Sequence, residues 1–105
     1  MNDATQSRQD EIVALLKRLF QEFAPQLQGY KVLLFGSRAT GKARPRSDFD
    51  LGVLGTIPIP LNVFYQIEDK LDALPTLYKI DWVDLNRVAD EFRQRALQNA
   101  KVLYE

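Results

Sequence analysis

The chain has no cysteine and no histidine, and it carries one methionine and one tryptophan among 105 residues. Without cysteine there is no disulfide framework and no thiolate metal site. Without histidine, the commonest general base and the commonest transition-metal ligand are both missing. Any catalysis must run on carboxylates, hydroxyls and a hard cation such as Mg²⁺. No apolar run approaches the roughly 20 residues that a membrane span needs. The stretch from Met1 to Gln6 lacks the basic and apolar regions of a leader, so a cytoplasmic protein is expected. Net charge is zero, which removes bulk electrostatics as a means of holding polyanions.

Apolar residues make up 46% and charged residues 27%, enough for one modest core and hence one domain over residues 1–105. Ile12, Leu15, Leu16, Leu19, Phe20 and Phe23 recur at helical spacing and predict a helix from Ser7 to about Ala24. Ser7 and Asp10 resemble a capping box, and Pro25 stops the helix. After the Gln28-Gly29 turn, Tyr30 to Phe35 reads as a buried strand and Arg38 to Gly41 as a short helical turn. Asp48 to Leu54 is a second strand. Pro58 and Pro60 break the chain before a helix from Leu61 to Leu74, closed by Pro75. Leu77 to Leu85 is a third strand. Asn86 caps a last helix, about Val88 to Asn99, with Val88, Phe92 and Ala96 inward. Lys101 to Glu105 can add an edge strand. The order predicts an α/β sheet with helices packed on it. Phe20, Phe23, Phe35, Phe49, Phe64, Trp82 and Phe92 fall at core-consistent positions, while Tyr65, Tyr78 and Tyr104 suit the surface or an interface.

The densest chemistry lies between Gly36 and Leu51. Gly36-Ser37 follows an apolar strand; glycine lets backbone amides approach a phosphate, and the serine hydroxyl adds a donor. Four basic residues follow without an acidic one: Arg38, Lys42, Arg44 and Arg46. Gly36-x4-Gly41-Lys42 opens like a P-loop, but Ala43 replaces the hydroxyl that would hold magnesium. Arg44-Pro45 also disfavours the helix that must start there, so that reading is rejected.

Asp48 and Asp50 then enter a strand whose other face carries Phe49 and Leu51, so alternation predicts both carboxylates on one face. At about 5 Å and an effective dielectric near 20, such a pair repels by roughly 3 kcal/mol. A divalent cation would relieve this, and oxygen-only ligands point to Mg²⁺. Strand three offers a third carboxylate on either face. Asp84 near the strand end has a ready use as a turn cap, whereas Asp81 inside an apolar run needs a partner. Asp81 is favoured.

With Gly36-Ser37, ten intervening residues, Asp48-Phe49-Asp50 and later Ile80-Asp81, the chain resembles the minimal nucleotidyltransferase (MNT) family of the DNA polymerase β-like superfamily. The resemblance covers nearly the whole chain. It implies a small mixed sheet with helices packed on it, with Gly36 and Ser37 holding the triphosphate of ATP. It implies two Mg²⁺ ions on Asp48 and Asp50, and Asp81 as the third carboxylate, binding the catalytic metal and helping to deprotonate the attacking hydroxyl. Arg38 resembles the basic residue that commonly follows Gly-Ser, and is expected at the nucleotide. The family further implies an antitoxin paired with a helical HEPN toxin in a hetero-oligomer, with AMP transferred to a tyrosine of the toxin.

Three other readings share the residues. A small-molecule adenylyltransferase usually carries a second domain for its acceptor, and 105 residues leave little room for one. A non-catalytic module could neutralise a partner by contact, although docking gains nothing from clustered carboxylates. Direct nucleic-acid binding through the basic loop is disfavoured because no stacking aromatics are interleaved with it.

Overall fold

A computed structural model describes residues 3–105. Met1 and Asn2, the start of the stretch read as lacking a leader's pattern, lie outside the described residues. Among the described residues four helices and four strands alternate: α1 (Asp3–Glu22), β1 (Lys31–Phe35), α2 (Ser37–Thr40), β2 (Phe49–Leu54), α3 (Leu61–Asp72), β3 (Ile80–Asp84), α4 (Asp90–Leu97) and β4 (Lys101–Tyr104). The strands form one mixed sheet in the order β3-β2-β1-β4. β1 runs antiparallel to β2 and β4, while β2 and β3 are parallel and joined through α3. The expected α/β fold with a mixed sheet is the observed one.

Alternation within the strands sorts the two sheet faces. Phe49, Leu51 and Val53 are fully buried on the face covered by α1 and α3, together with Leu16, Phe20 and Ile67. Trp82 fastens the edge strand β3 to this layer. Its ring stacks on Phe20 at 5.5 Å and Phe64 at 5.4 Å, and its Nε1 donates to the Phe64 carbonyl at 3.1 Å. Each such ring pair adds about 0.5–1.5 kcal/mol beyond its buried area. The opposite face is thinly covered. There a smaller cluster of Leu33, Phe35, Leu85 and Ala96 sits under α4, and the rest of that face carries the carboxylates.

Local details depart from the expectations. α1 begins at Asp3, so Ser7 and Asp10 lie within the helix and form no cap box at its start. It also ends at Glu22, before Pro25, and a series of turns leads to Gly29. Asn86 does not cap α4. Its side-chain amide accepts from the Gly55 amide at 2.9 Å and donates to the Gly55 carbonyl at 2.8 Å, latching the ends of β2 and β3 together. α4 starts four residues later, after Ala89. It covers too little of the sheet to bury Phe92, which stays 38% exposed and leans edge-on against Phe35 at 6.1 Å.

Candidate active site

β1 ends at Phe35, and the chain must turn sharply to start α2. Gly36 takes φ 72° and ψ −153°, a region essentially restricted to glycine. A Cβ there would stand 2.4 Å from Asp50 Oδ2, so the backbone at Gly36 and the Asp50 carboxylate are packed against each other. Ser37 opens α2 and is partly exposed beside this contact.

The sheet register brings the carboxylates together. Asp50 pairs with Phe35 on one side and with Asp81 on the other. Directly paired residues project to the same face, and Asp81 lies within hydrogen-bonding reach of Asp50. Burial, the Asp81 charge and the Asp48 charge all push the Asp50 carboxyl above its ordinary value, opposed by Lys79. Lys79 stands 3.7 Å from Asp81 Oδ1 in an exposed ion pair.

Asp48 is placed differently from the expectation. β2 begins at Phe49, whose amide donates to the Lys79 carbonyl, so Asp48 belongs to the preceding loop and strand alternation does not govern it. Asp48 is close enough for Asp50 to sense its charge. Among the described residues, however, no three acidic side chains are already gathered as a ligand group. Asp50 and Asp81 line a cleft of about 480 Å³ with Phe35, Glu68, Val83 and Phe92. Asp48 lines a neighbouring cleft of about 710 Å³ with Arg8, Arg46, Tyr78 and Lys79.

Asp84 has the other role considered for it. It is buried, accepts from the Asn86 amide and the Arg87 Nε at 2.9 Å each, and closes the turn after β3. Arg87 in turn donates to the Ile59 carbonyl.

Arg38 corrects the sequence reading. Its side chain is buried at 1% exposure, and its guanidinium donates to the carbonyls of Pro45 and Ser47 and to Gln9 Oε1. Tyr78, expected at the surface or an interface, lies beneath it with Phe49. A guanidinium enclosed in this way does not face a triphosphate. Of the rest of the basic loop, Lys42, Arg44 and Arg46 are exposed.

The donor set suits a hard divalent cation. Two adjacent carboxylates, one of them held against a glycine backbone and reluctant to ionise alone, match a Mg²⁺ site completed by substrate phosphates.

The polymerase beta nucleotidyltransferase family model matches residues 16–105, and the chain belongs to that family. The curated relative "Probable protein adenylyltransferase MntA" of Haemophilus influenzae is 27% identical over 84 residues, covering 80% of this chain and 71% of its own. Two solved structures share the fold. One is a toxin–antitoxin complex with AMP-PNP, at TM-score 0.62 and 23% identity, covering 84% of this chain and 72% of the matched one. The other is tri-AMPylated Shewanella oneidensis HEPN toxin in complex with MNT antitoxin, at TM-score 0.52 and 22% identity, covering 95% and 71%. No described helix is long and apolar enough to cross a membrane.

Proposed function

We propose that this nucleotidyltransferase is an antitoxin that transfers AMP from ATP to a tyrosine hydroxyl of a HEPN-type toxin, and that Asp48, Asp50 and Asp81 are its acidic machinery. The observation that carries the reading is the Asp50–Asp81 pairing across β2 and β3, with Gly36 packed on Asp50. The adenylyltransferase relative and the toxin–antitoxin complexes of the same fold support the donor, the transfer and the toxin partner.

Asp50 and Asp81 would hold Mg²⁺ with the nucleotide phosphates, and Asp48 would complete the set from its loop. Metal bound there would supply charge stabilisation for the attacking and leaving oxygens. Gly36 and Ser37 border Asp50 and would seat the phosphates by backbone amide and hydroxyl. Asp81, open to the cleft, accepts the proton of the acceptor hydroxyl. The freed oxygen forms its bond to the α-phosphorus, the bond from that phosphorus to the bridging oxygen breaks, and pyrophosphate departs. Phe35, Val83 and Phe92 give the cleft an apolar wall beside Asp50 and Asp81, which suits an aromatic acceptor ring.

Incubation with α-labelled ATP, Mg²⁺ and the toxin tests this directly. Label should appear on the toxin with the wild type and vanish with Asp50→Asn or when the toxin's acceptor tyrosine becomes phenylalanine. If Asp48→Asn and Asp50→Asn proteins silence the toxin as well as the wild type does, neutralisation is by binding alone.

A further inference from the structure

Among the described residues, Arg38 is the largest fully buried side chain, and it is a charged one. Such burial is costly unless the charge is well partnered. Its partners converge on one short segment. Nε and Nη2 both donate to the Ser47 carbonyl, at 3.2 and 2.7 Å, and Nη2 also reaches the Pro45 carbonyl at 3.2 Å. Nη1 donates to Gln9 Oε1 at 3.3 Å, while Gln9 Nε2 donates back to the Arg38 carbonyl at 3.4 Å. The guanidinium lies over the Phe49 ring at 4.4 Å and near the Tyr78 ring at 5.1 Å. The loop has its own closure: the Arg44 amide donates to Ser47 Oγ at 2.8 Å, and the Ser47 amide donates to the Arg44 carbonyl at 3.0 Å.

The Ser47 carbonyl belongs to the peptide unit that joins Ser47 to Asp48. A planar peptide whose oxygen is held by two donors has its amide end fixed as well. On the far side of Asp48, the ring of Phe49 is held against the same guanidinium. One side chain thus grips the residues immediately before and after Asp48, a position that strand pairing leaves unfixed. Arg38 itself follows Ser37 in α2, so the grip also ties the Gly36-Ser37 turn to the loop that delivers Asp48.

We propose that Arg38 is a positioning residue that sets the place of Asp48 relative to Asp50, and that it governs divalent-cation affinity without touching the nucleotide. The proposal rests on the reading of Asp48 and Asp50 as a cation site. A lysine would keep the charge, but its single ammonium cannot hold the same bidentate fork while stacking on two rings.

The test uses the metal-free full chain and Mn²⁺ followed by electron paramagnetic resonance. Arg38→Lys should remain folded by circular dichroism yet bind Mn²⁺ about 10-fold more weakly, the usual scale for losing a group that orients a ligand. Amide exchange in residues 44–49 should quicken without Mn²⁺ present. Gln9→Ala, which removes only the helix-side contact, should leave Mn²⁺ affinity unchanged. In an Asp48→Asn background, Arg38→Lys should produce no further loss. A loss of equal size with and without Asp48 would mean general damage to the fold and would overturn the proposal. So would unchanged affinity in Arg38→Lys where the wild type binds. A wild type that binds no Mn²⁺ refutes the cation site itself, and this role with it.

Discussion

Replacing Asp50 by asparagine should stabilise the metal-free protein and at the same time remove its response to Mg²⁺. The substitution keeps shape and lets an amide donate to Asp81, but it deletes one of two facing charges. Two unit charges about 4 Å apart repel by roughly 1 kcal/mol in water and about 4 kcal/mol at an effective dielectric of 20. Asp81 is 40% exposed and countered by Lys79, so solvent screening favours the low end, about 1 kcal/mol. For a domain of this size that corresponds to roughly 4–8 °C in Tm. The pH dependence has a definite sign. Folding raises the Asp50 carboxyl above its ordinary value, so the folded state favours the protonated form. That contribution is present in full below the ordinary carboxylate range and is lost as pH rises through the raised value. The advantage of Asp50→Asn should therefore be small in acid and reach its full size at neutral pH. Mg²⁺ should stabilise the wild type alone, by about 2.7 kcal/mol at a concentration of 100 Kd, and raise its Tm accordingly. Differential scanning fluorimetry across pH, with and without Mg²⁺, reads all of this. A metal-free Asp50→Asn that melts below the wild type at neutral pH, or an equal Mg²⁺ shift in both, would refute the reasoning.

Gly36→Ala should cost about 1–3 kcal/mol in urea titration, from backbone strain, and should displace Asp50, lowering transfer activity beyond what stability explains. Asn86→Ala should cost about 1–3 kcal/mol by unlatching Gly55, with Mn²⁺ affinity unchanged because the latch lies at the opposite end of β2 from Asp50. Phe92→Ala should change stability by only about 1 kcal/mol, since the ring is half open. It should nevertheless raise the apparent KM for the toxin in labelling assays while leaving that for ATP unchanged.

Much of the architecture was legible because it is local. The spacing of Leu16, Leu19 and Phe20 predicts α1, and the alternation of Phe49, Leu51 and Val53 predicts the buried face of β2, as found. Pro58 and Pro60 mark the break before α3. Two arguments favour Asp81 over Asp84, the cost of a lone carboxylate in an apolar run and the ready use of Asp84 as a turn cap; in the fold Asp84 is the buried one, and the register gives Asp81 the neighbour Asp50. The boundaries of α1 and α4 were less legible, because capping residues such as Ser7 and Asn86 can serve elsewhere. Asn86 does so through Gly55, 31 residues away.

From residue order alone came the alternating helices and strands, the glycine turn, the acidic pair and the absence of nitrogen or sulfur ligands that leaves only a hard-cation chemistry. Those properties depend on near neighbours and on residue type, which a linear string contains. Tertiary structure alone decided that Asp50 meets Asp81, that Asp48 stands apart in its loop, that Phe92 borders an open cleft and that Arg38 is buried under the loop it grips. Each of these depends on which segments meet across the sheet, and that is set by packing two helices on one face and a single short one on the other.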